Sequence, residues 1–229
     1  MLSKCLKLAF NFMGQVERNL QMRRGLLEAA GEVFAEKGFA KATVRAICDR
    51  AGVNVAAINY YFRDKEGLYR EAIKHWSEIS RQKYPPDLGL GAQPTAEERL
   101  RAFIRSFLFR MLDKSRPGWH GKLLAREMVE PTGTLDELVE SAYRPMNERL
   151  RGIVRELGRG RLNPREVQLC ARSILGQCVY YRLARPVIVR LDPGETFEAA
   201  DVERLAAHVT RFSLAAIRAL TRKKGTDRS

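Results

Sequence analysis

The side chains whose types and spacing suit specific chemistry lie in residues 42–67, and that chemistry is the binding of nucleic acid. Asn59 carries an amide that can pair with adenine through two hydrogen bonds. Ala56 and Ala57 are small, so a backbone that carries them can approach base edges closely. Contacts to DNA phosphates would fix the position of the protein along the duplex without recognising its base sequence. The predicted phosphate contacts are Arg45, Tyr60 and Lys65, and the predicted DNA-binding set is completed by Thr43, Asn54 and Tyr61.

Two short helices and the bend between them must position this set. Thr43 can cap the first helix, because its hydroxyl can accept a bond from an orphan N–H of the first turn. Gly52 suits the left-handed residue that ends that helix, and Asn54 can cap the second. A second helix set across a first can enter the major groove of DNA, so the pattern predicts a helix-turn-helix.

These residues resemble the TetR family of transcriptional regulators. That family shows Thr-x-x-x-Ile-Ala-x-x-Ala-Gly-Val-Ser, then Gly, Tyr and a Tyr/His-Phe pair, then Lys-Glu-x-Leu. The matching positions are Thr43, Ile47, Ala51, Gly52, Val53, Tyr60, Phe62, Lys65, Glu66 and Leu68. The departures are Cys48, Asn54, Ala56 and Asn59. Ala56 and Asn59 lie on the recognition face, so the family's base contacts are not carried over there. Residues 52–62, together with Arg-Leu-Ala-Arg-Pro-Val-Ile at 182–188, resemble the CecR-like branch.

Helical periodicity runs almost throughout the chain and predicts an all-α protein of nine or ten helices. The N-terminal part is predicted to be a three-helix DNA-binding domain, and the rest a larger helical domain for ligand binding and dimerisation. A loop is expected from Arg185-Pro186 to Gly194, and one long helix from Leu135 to about Leu157. The predicted divisions are a disordered arm at 1–21, the helix-turn-helix domain at 22–64, the helical body at 65–222 and a basic tail at 223–229. Met13 or Met22 could be the true start instead.

The resemblance implies that helices 164–184 and 198–222 pair with their symmetry mates in a homodimer. Burial of both helices inside one subunit is the alternative that patterning leaves open. The resemblance also implies a small-molecule pocket in the body. Candidate ligand-binding residues have polar tips near apolar stripes, although such side chains also commonly cap cores. They are Trp119, His120, Arg126, Glu127, Tyr143, Gln177 and Tyr181.

The composition of the chain is compatible with DNA binding but does not distinguish it from the binding of other polyanions. Lys and Arg number 41 against 27 Asp and Glu in 229 residues, which leaves a net charge of +14. Such a field attracts DNA, RNA and anionic membranes about equally. No apolar run approaches the roughly 20 residues of a membrane span, and residues 1–13 lack a signal-peptide cleavage site. The sequence therefore predicts a cytoplasmic protein without a membrane partner.

Catalysis, metal binding and cofactor binding are not supported by any motif. The three histidines at 75, 120 and 208 are isolated, and no nucleophile, base and oxyanion site occur together. The four cysteines form no CxxC pair, and Cys48, Cys170 and Cys178 are expected to be thiols that pack as small apolar groups. The sequence predicts a dimeric regulator, most simply a repressor released from a palindromic operator by a small organic ligand. The alternative is a ligand-independent or nonspecific DNA-binding protein.

Overall fold

A computed structural model describes residues 2–87, 89–113 and 118–226, with side chains from residue 13 to 222. Within these ranges every regular element is helical, and there is no strand. The helices are α1 (Leu2–Lys41), α2 (Val44–Ala51), α3 (Val55–Phe62), α4 (Lys65–Lys83), α5 (Ala96–Leu112), α6 (Gly118–Val129), α7 (Gly133–Leu138), α8 (Arg144–Leu157), α9 (Pro164–Leu183), α10 (Arg185–Leu191) and α11 (Ala199–Thr226). A π-helical segment, Val139–Tyr143, joins α7 to α8. None of the described helices combines the length and the apolar character needed to cross a membrane.

The chain divides into two compact units. The first takes residues 1–78 together with 116–135, and the second takes 79–115 together with 136–229. The boundary between residues 78 and 79 falls inside α4, so the predicted division at residue 64 is not where contacts separate. The helix α6 also belongs to the first unit by its contacts, because it packs along α1.

In the first unit, α1 supplies the apolar face against which α2 and α6 pack. Leu26, Leu27 and Phe34 on this face are completely buried. The helix α6 approaches α1 closely at Gly31, where an added Cβ would lie 2.2–2.5 Å from ring atoms of Trp119. A residue without a side chain is therefore required at this crossing.

The predicted helix caps are confirmed. The Ala46 N–H donates to the Thr43 hydroxyl at 3.2 Å, and the Ala56 N–H donates to Asn54 Oδ1 at 3.0 Å. Gly52 ends α2 in the left-handed region, with φ of 67°. Each cap satisfies an N–H or a C=O that a short helix leaves without an internal partner. The bend of the helix-turn-helix is thus fixed by local bonds.

The second unit is a bundle in which α5 packs against α8, α9 and α11. Its core consists of apolar side chains from these four helices, among them Leu100, Phe103, Leu150 and Val209. Capping boxes begin α5 and α9, since Thr95 pairs with Glu98 and Asn163 with Glu166 through reciprocal bonds. The apolar faces of α5, α8, α9 and α11 thus pack against one another and form this core.

Four expectations need correction. Residues 2–21 are helical and continue α1, whereas a disordered arm was expected; the Tyr61 hydroxyl donates to Asn19 Oδ1 at 3.2 Å and ties this part of α1 to α3. The expected loop from Arg185 to Gly194 contains α10, whose proline stands in the first turn, where no N–H is required. The expected single helix over 135–157 contains the π-helical segment. The predicted tail begins inside α11 for residues 223–226, and 227–229 lie outside the described residues.

The Gly31 crossing gives a test of the packing between α1 and α6. Replacing Gly31 by Ala should destabilise the protein by about 1–3 kcal/mol, because the methyl group overpacks against Trp119. Gly25→Ala is the matched control, since a Cβ there meets nothing within 4 Å and should stabilise α1 by about 0.4–1 kcal/mol. Urea unfolding of both variants measures the difference; equal stabilities would contradict this packing.

Candidate nucleic-acid interface

One face of α3 is buried in the first unit, and the other face is exposed to solvent. Ile58 is completely buried and Phe62 nearly so, which fixes the rotation of the helix about its axis. The open face carries Val55, Ala56, Asn59 and Tyr60. Of the predicted base contacts, Ala56 and Asn59 therefore face solvent, whereas Ala57 is half-buried beside Ile58.

The structure adds Val55 to this face. Its side chain is 44% exposed and lies one helical turn before Asn59. An exposed apolar side chain on a recognition helix suits contact with the methyl group of thymine. The spacing of four residues between Val55 and Asn59 is the sequence signal that could have identified it.

Predicted phosphate contacts fall into two groups. Arg45 is exposed on the first turn of α2. Tyr60 is 76% exposed, and its ring meets that of Tyr61 edge-on at 4.8 Å. Thr43 is exposed too, but its hydroxyl accepts the capping bond of α2. Arg45 and Tyr60 are therefore the members that are open to a ligand.

Lys65 is bound within the protein. Its ammonium group donates to the carbonyl oxygens of Phe39 and Ala42, at 2.9 and 3.1 Å, and lies 4.5 Å from the centre of the Phe39 ring. Two of its three N–H donors are thereby used to hold the start of α4 against the end of α1. Lys65 positions the unit and has one donor left for a phosphate.

Several other cations near the helix-turn-helix are paired with carboxylates. Arg50 on α2 donates to Glu36 through both terminal guanidinium nitrogens, and this pairing lowers the pKa of Glu36. Arg23 on α1 bonds to Glu71 at 2.7 Å and lies over the Phe62 ring. These contacts tie α1 to α2, α3 and α4, and they show that local positive charge is only partly available to DNA.

Comparison with known sequences agrees with this geometry. The family described as HTH-type transcriptional dual regulator CecR, C-terminal domain, matches residues 96–217, more than half of the chain. The family of bacterial regulatory proteins named tetR matches residues 26–72, which contain α2 and α3. The chain belongs to the TetR family, in its CecR branch. It is a transcriptional regulator with a DNA-binding helix-turn-helix, and the members of this family that it resembles are regulators rather than enzymes.

Individual relatives extend the likeness over most of the chain. The dual regulator CecR of Shigella flexneri is 26% identical over 201 residues, covering 83% of this chain and 88% of that protein. A structure described as a transcriptional regulator of Pseudomonas aeruginosa PAO1 has a TM-score of 0.64 at 25% identity, covering 87% of this chain and 94% of the other. AibR, crystallised with isovaleryl coenzyme A and operator DNA, has a TM-score of 0.60 at 16% identity, covering 82% and 96%.

Four of the seven candidate ligand residues of this TetR-family chain lie on α6 in the first unit, and all have internal contacts. The Trp119 ring lies 6.0 Å from that of Trp76, and His120 Nε2 lies 3.4 Å from the Ser77 hydroxyl oxygen. Glu127 is buried and accepts a bond from Tyr69 at 2.7 Å. Arg126 approaches the backbone of Gly38 and, at 3.8 Å, Glu130.

The other three candidates lie in the second unit. Tyr143 is half-buried at the end of the π-helical segment. Gln177 and Tyr181 are one turn apart on α9, where Gln177 donates to the Ser173 carbonyl at 3.4 Å and burial raises the pKa of Tyr181. Four of the seven candidate residues thus lie in the first unit and three in the second.

Two substitutions separate base reading from phosphate binding in this TetR-family interface. Asn59→Ala should change the preferred base at the position that this side chain contacts, costing about 1–3 kcal/mol there. Arg45→Ala should weaken binding to all DNA sequences alike. It should also reduce the slope of log affinity against log salt concentration by about 0.9 for each phosphate that the side chain no longer neutralises. Binding to a panel of duplexes at several salt concentrations measures both effects. The assignment of Asn59 is contradicted if its variant keeps the wild-type base preference.

Proposed function

We propose that the protein is a homodimeric repressor that binds a palindromic operator and is released by a small organic ligand. The observation that carries the proposal is a pair of exposed apolar stripes on α9 and α11, adjacent helices of the second unit. A single recognition helix reads few base pairs, so a second copy related by a two-fold axis is what makes an operator specific.

The stripe on α9 has the spacing of one helix face. It runs through Leu169, Ser173, Gly176, Tyr180 and Leu183, all of which are exposed. Large apolar side chains stand at its ends, and Leu169 is 51% exposed. The centre is formed by small residues, and an added Cβ at Gly176 would meet nothing within 4 Å. A second helix can therefore approach the backbone closely there, as helices do when small residues line their crossing.

The stripe on α11 is similar in character. Phe212 is 58% exposed and Leu220 is 40% exposed, with the exposed Ala216 between them. The adjoining face of α11 is buried through Val209 and Ile217, so this helix carries exposed apolar side chains beside the face that it places in the core. Exposed apolar surface on two packed helices is typical of a protein interface. Pairing with the same two helices of a second copy would give a four-helix contact.

Symmetry then sets the geometry of DNA binding. Two α3 helices that enter successive major grooves on one side of the duplex must lie about one turn apart, roughly 34–36 Å. A dimer with a fixed interface holds that spacing, and an effector acts by changing it. The helix α4 contributes residues to both units, so we expect its displacement to accompany release.

Release by an effector requires that effector binding and DNA binding are thermodynamically linked. The effector must bind the DNA-incompetent state more tightly, and typical coupling free energies are about 1–3 kcal/mol. The presence of both isovaleryl coenzyme A and operator DNA in the AibR crystal supports an organic effector for a chain of this fold. The name of the Shigella flexneri relative, a dual regulator, favours testing for activation as well as repression.

The interface can be tested by placing a charge in it. Phe212→Glu should weaken self-association more than tenfold, equivalent to about 1.4 kcal/mol, because the interface must bury two carboxylates without partners. Operator affinity should fall with it. Val129→Glu is the matched control, since Val129 is 80% exposed on α6 outside the stripes. Sedimentation and mobility shift measure the two properties; a dimeric Phe212→Glu protein would refute this interface.

Operator binding can be tested directly. Duplexes selected from a random pool by the wild-type protein should share a palindrome, and DNA upstream of its own gene should shift in a gel. The nonspecific alternative predicts a steep salt dependence with little discrimination among sequences. Reporter expression from the selected operator, with the protein present and absent, distinguishes repression from activation. Once an effector is found, DNA and effector affinities that prove independent would refute induced release.

A further inference from the structure

A cleft runs along α11 in the second unit, beside the start of α5 and the turn between α8 and α9. One part, with a volume of about 1000 Å³, is bordered by the C-terminal half of α11. A smaller part of about 550 Å³ continues along α11 toward its start. The two parts share Glu97, Leu214, Ala215 and Arg218, so they form one continuous surface.

The lining of this cleft is strongly basic. Seven arginines border it, compared with two glutamates, and all seven are exposed. Four of them project from α11, and the others are Arg101 on α5 with Arg159 and Arg161 in the turn. The charge of each glutamate is compensated, because Glu97 pairs with Arg218 and Glu156 with Arg99. The cleft therefore attracts negatively charged partners from solution.

The internal ion pairs of the α11 arginines are open to water. Arg218 bonds to Glu97, and these side chains are 61% and 50% exposed. Arg204 bonds to Asp201 but is itself 64% exposed. Ion pairs that water reaches in this way contribute little to stability. The carboxylates of a partner can therefore share or replace these contacts at little cost.

The arginines of α11 repeat with a period of seven residues. Arg204, Arg211 and Arg218 are successively two turns apart, about 10.5 Å along the helix axis. Ala207 and Leu214 lie between them, so the row alternates charge with small or apolar groups. A seven-residue repeat of this kind is typical of a helix that pairs with another helix. The row and the apolar stripe occupy different sides of α11, since each residue turns the helix by about 100°.

The floor of the cleft is apolar and the turn at its end is fixed. Leu157 and Leu214 are half-buried against the core and line the larger part. In the turn, the Arg161 N–H donates to the Gly158 carbonyl at 2.9 Å. The buried Leu162 packs so closely on Gly158 that an added Cβ there would lie 2.9 Å from it. The backbone that carries the arginines of the turn is thus preorganised, which lowers the entropy cost of binding.

We propose that this cleft binds an acidic α-helix of a partner protein, whose carboxylates pair with the arginine row and whose apolar side chains contact Leu214 and Ala215. Glutamates seven residues apart on such a helix recur at the same spacing of about 10.5 Å. Guanidinium groups bind carboxylates through paired N–H donors, and arginine is enriched at protein interfaces. A DNA backbone offers phosphates but no apolar group for the floor. The inference goes beyond the proposed function and requires neither dimerisation nor effector release.

The test uses the full chain and a fluorescent helical peptide of about 21 residues, three heptads, with glutamate and leucine repeating every seven residues on one face. Fluorescence anisotropy at about 0.15 M salt measures binding, so that attraction between distant charges is screened. The peptide should bind at least tenfold more tightly than a peptide of the same composition in scrambled order. Equal affinities of the two would show attraction to charge alone and would overturn the proposal.

Charge reversal identifies the surface responsible. Arg211→Glu changes the exposed centre of the row, so it should keep the melting temperature of the wild type and weaken peptide binding at least tenfold. A peptide with lysine in place of each glutamate should bind this variant better than it binds the wild type, which a folding defect would not produce. Arg190→Glu is the matched control, because Arg190 is exposed on α10 outside the lining of the cleft. It should change peptide affinity by no more than about twofold.

Other occupants of the cleft predict different results. If DNA bound there, the affinity for a duplex without an operator would fall in Arg211→Glu. If a second copy of the chain bound there, Arg211→Glu would weaken self-association in sedimentation. Either result, or wild-type peptide affinity in Arg211→Glu, overturns the proposal. Loss of peptide binding with unchanged duplex affinity and self-association supports it, whether or not an effector releases the operator.

Discussion

The hydrogen bond from Tyr69 to Glu127 is the constraint on which the DNA-binding unit depends. Glu127 is 1% exposed, so its carboxylate must find partners inside the protein. One oxygen accepts from the Tyr69 hydroxyl at 2.7 Å, and the other accepts from the Thr132 N–H and hydroxyl, both at 2.9 Å. Burial and this carboxylate strongly raise the pKa of Tyr69, which keeps the phenol a donor. The bond ties α4 to α6 in the interior.

The same tyrosine continues the connection toward the recognition helix. Its ring contacts Phe34 edge-on at 4.9 Å and Phe39 at 5.0 Å, and the Lys65 ammonium group lies over the Phe39 ring. Aromatic contacts of this kind stabilise by about 0.5–1.5 kcal/mol beyond area burial. Since Lys65 begins α4 directly after α3, the orientation of α3 follows from the packing of α1, α4 and α6. Residues far from DNA therefore decide whether the recognition face is correctly presented.

The sequence was sufficient to predict those features that depend on contacts between residues close together in the chain. Thr43, Gly52 and Asn54 act within a few residues, so their types and spacing were sufficient to locate α2, the bend and α3. Pairings such as Tyr61 with Asn19 depend on segments far apart in the chain, and no periodicity indicates them. The candidate ligand residues were chosen by type alone, and for Trp119, His120 and Glu127 the structure offers internal partners.

The composition of the recognition face supports the proposal that two copies of the chain bind DNA together. Of its four open residues, Val55 and Ala56 are apolar and Tyr60 has a single hydroxyl, so Asn59 is the one with a bidentate amide. A bidentate contact gives about 1–3 kcal/mol of discrimination, too little to select one site among about a million or more competitors. Joining two faces about doubles this difference, provided that their spacing is fixed. In the proposed dimer, the stripes of α9 and α11 would bear on sequence recognition as directly as α3, and a ligand that altered their pairing would alter specificity without touching DNA.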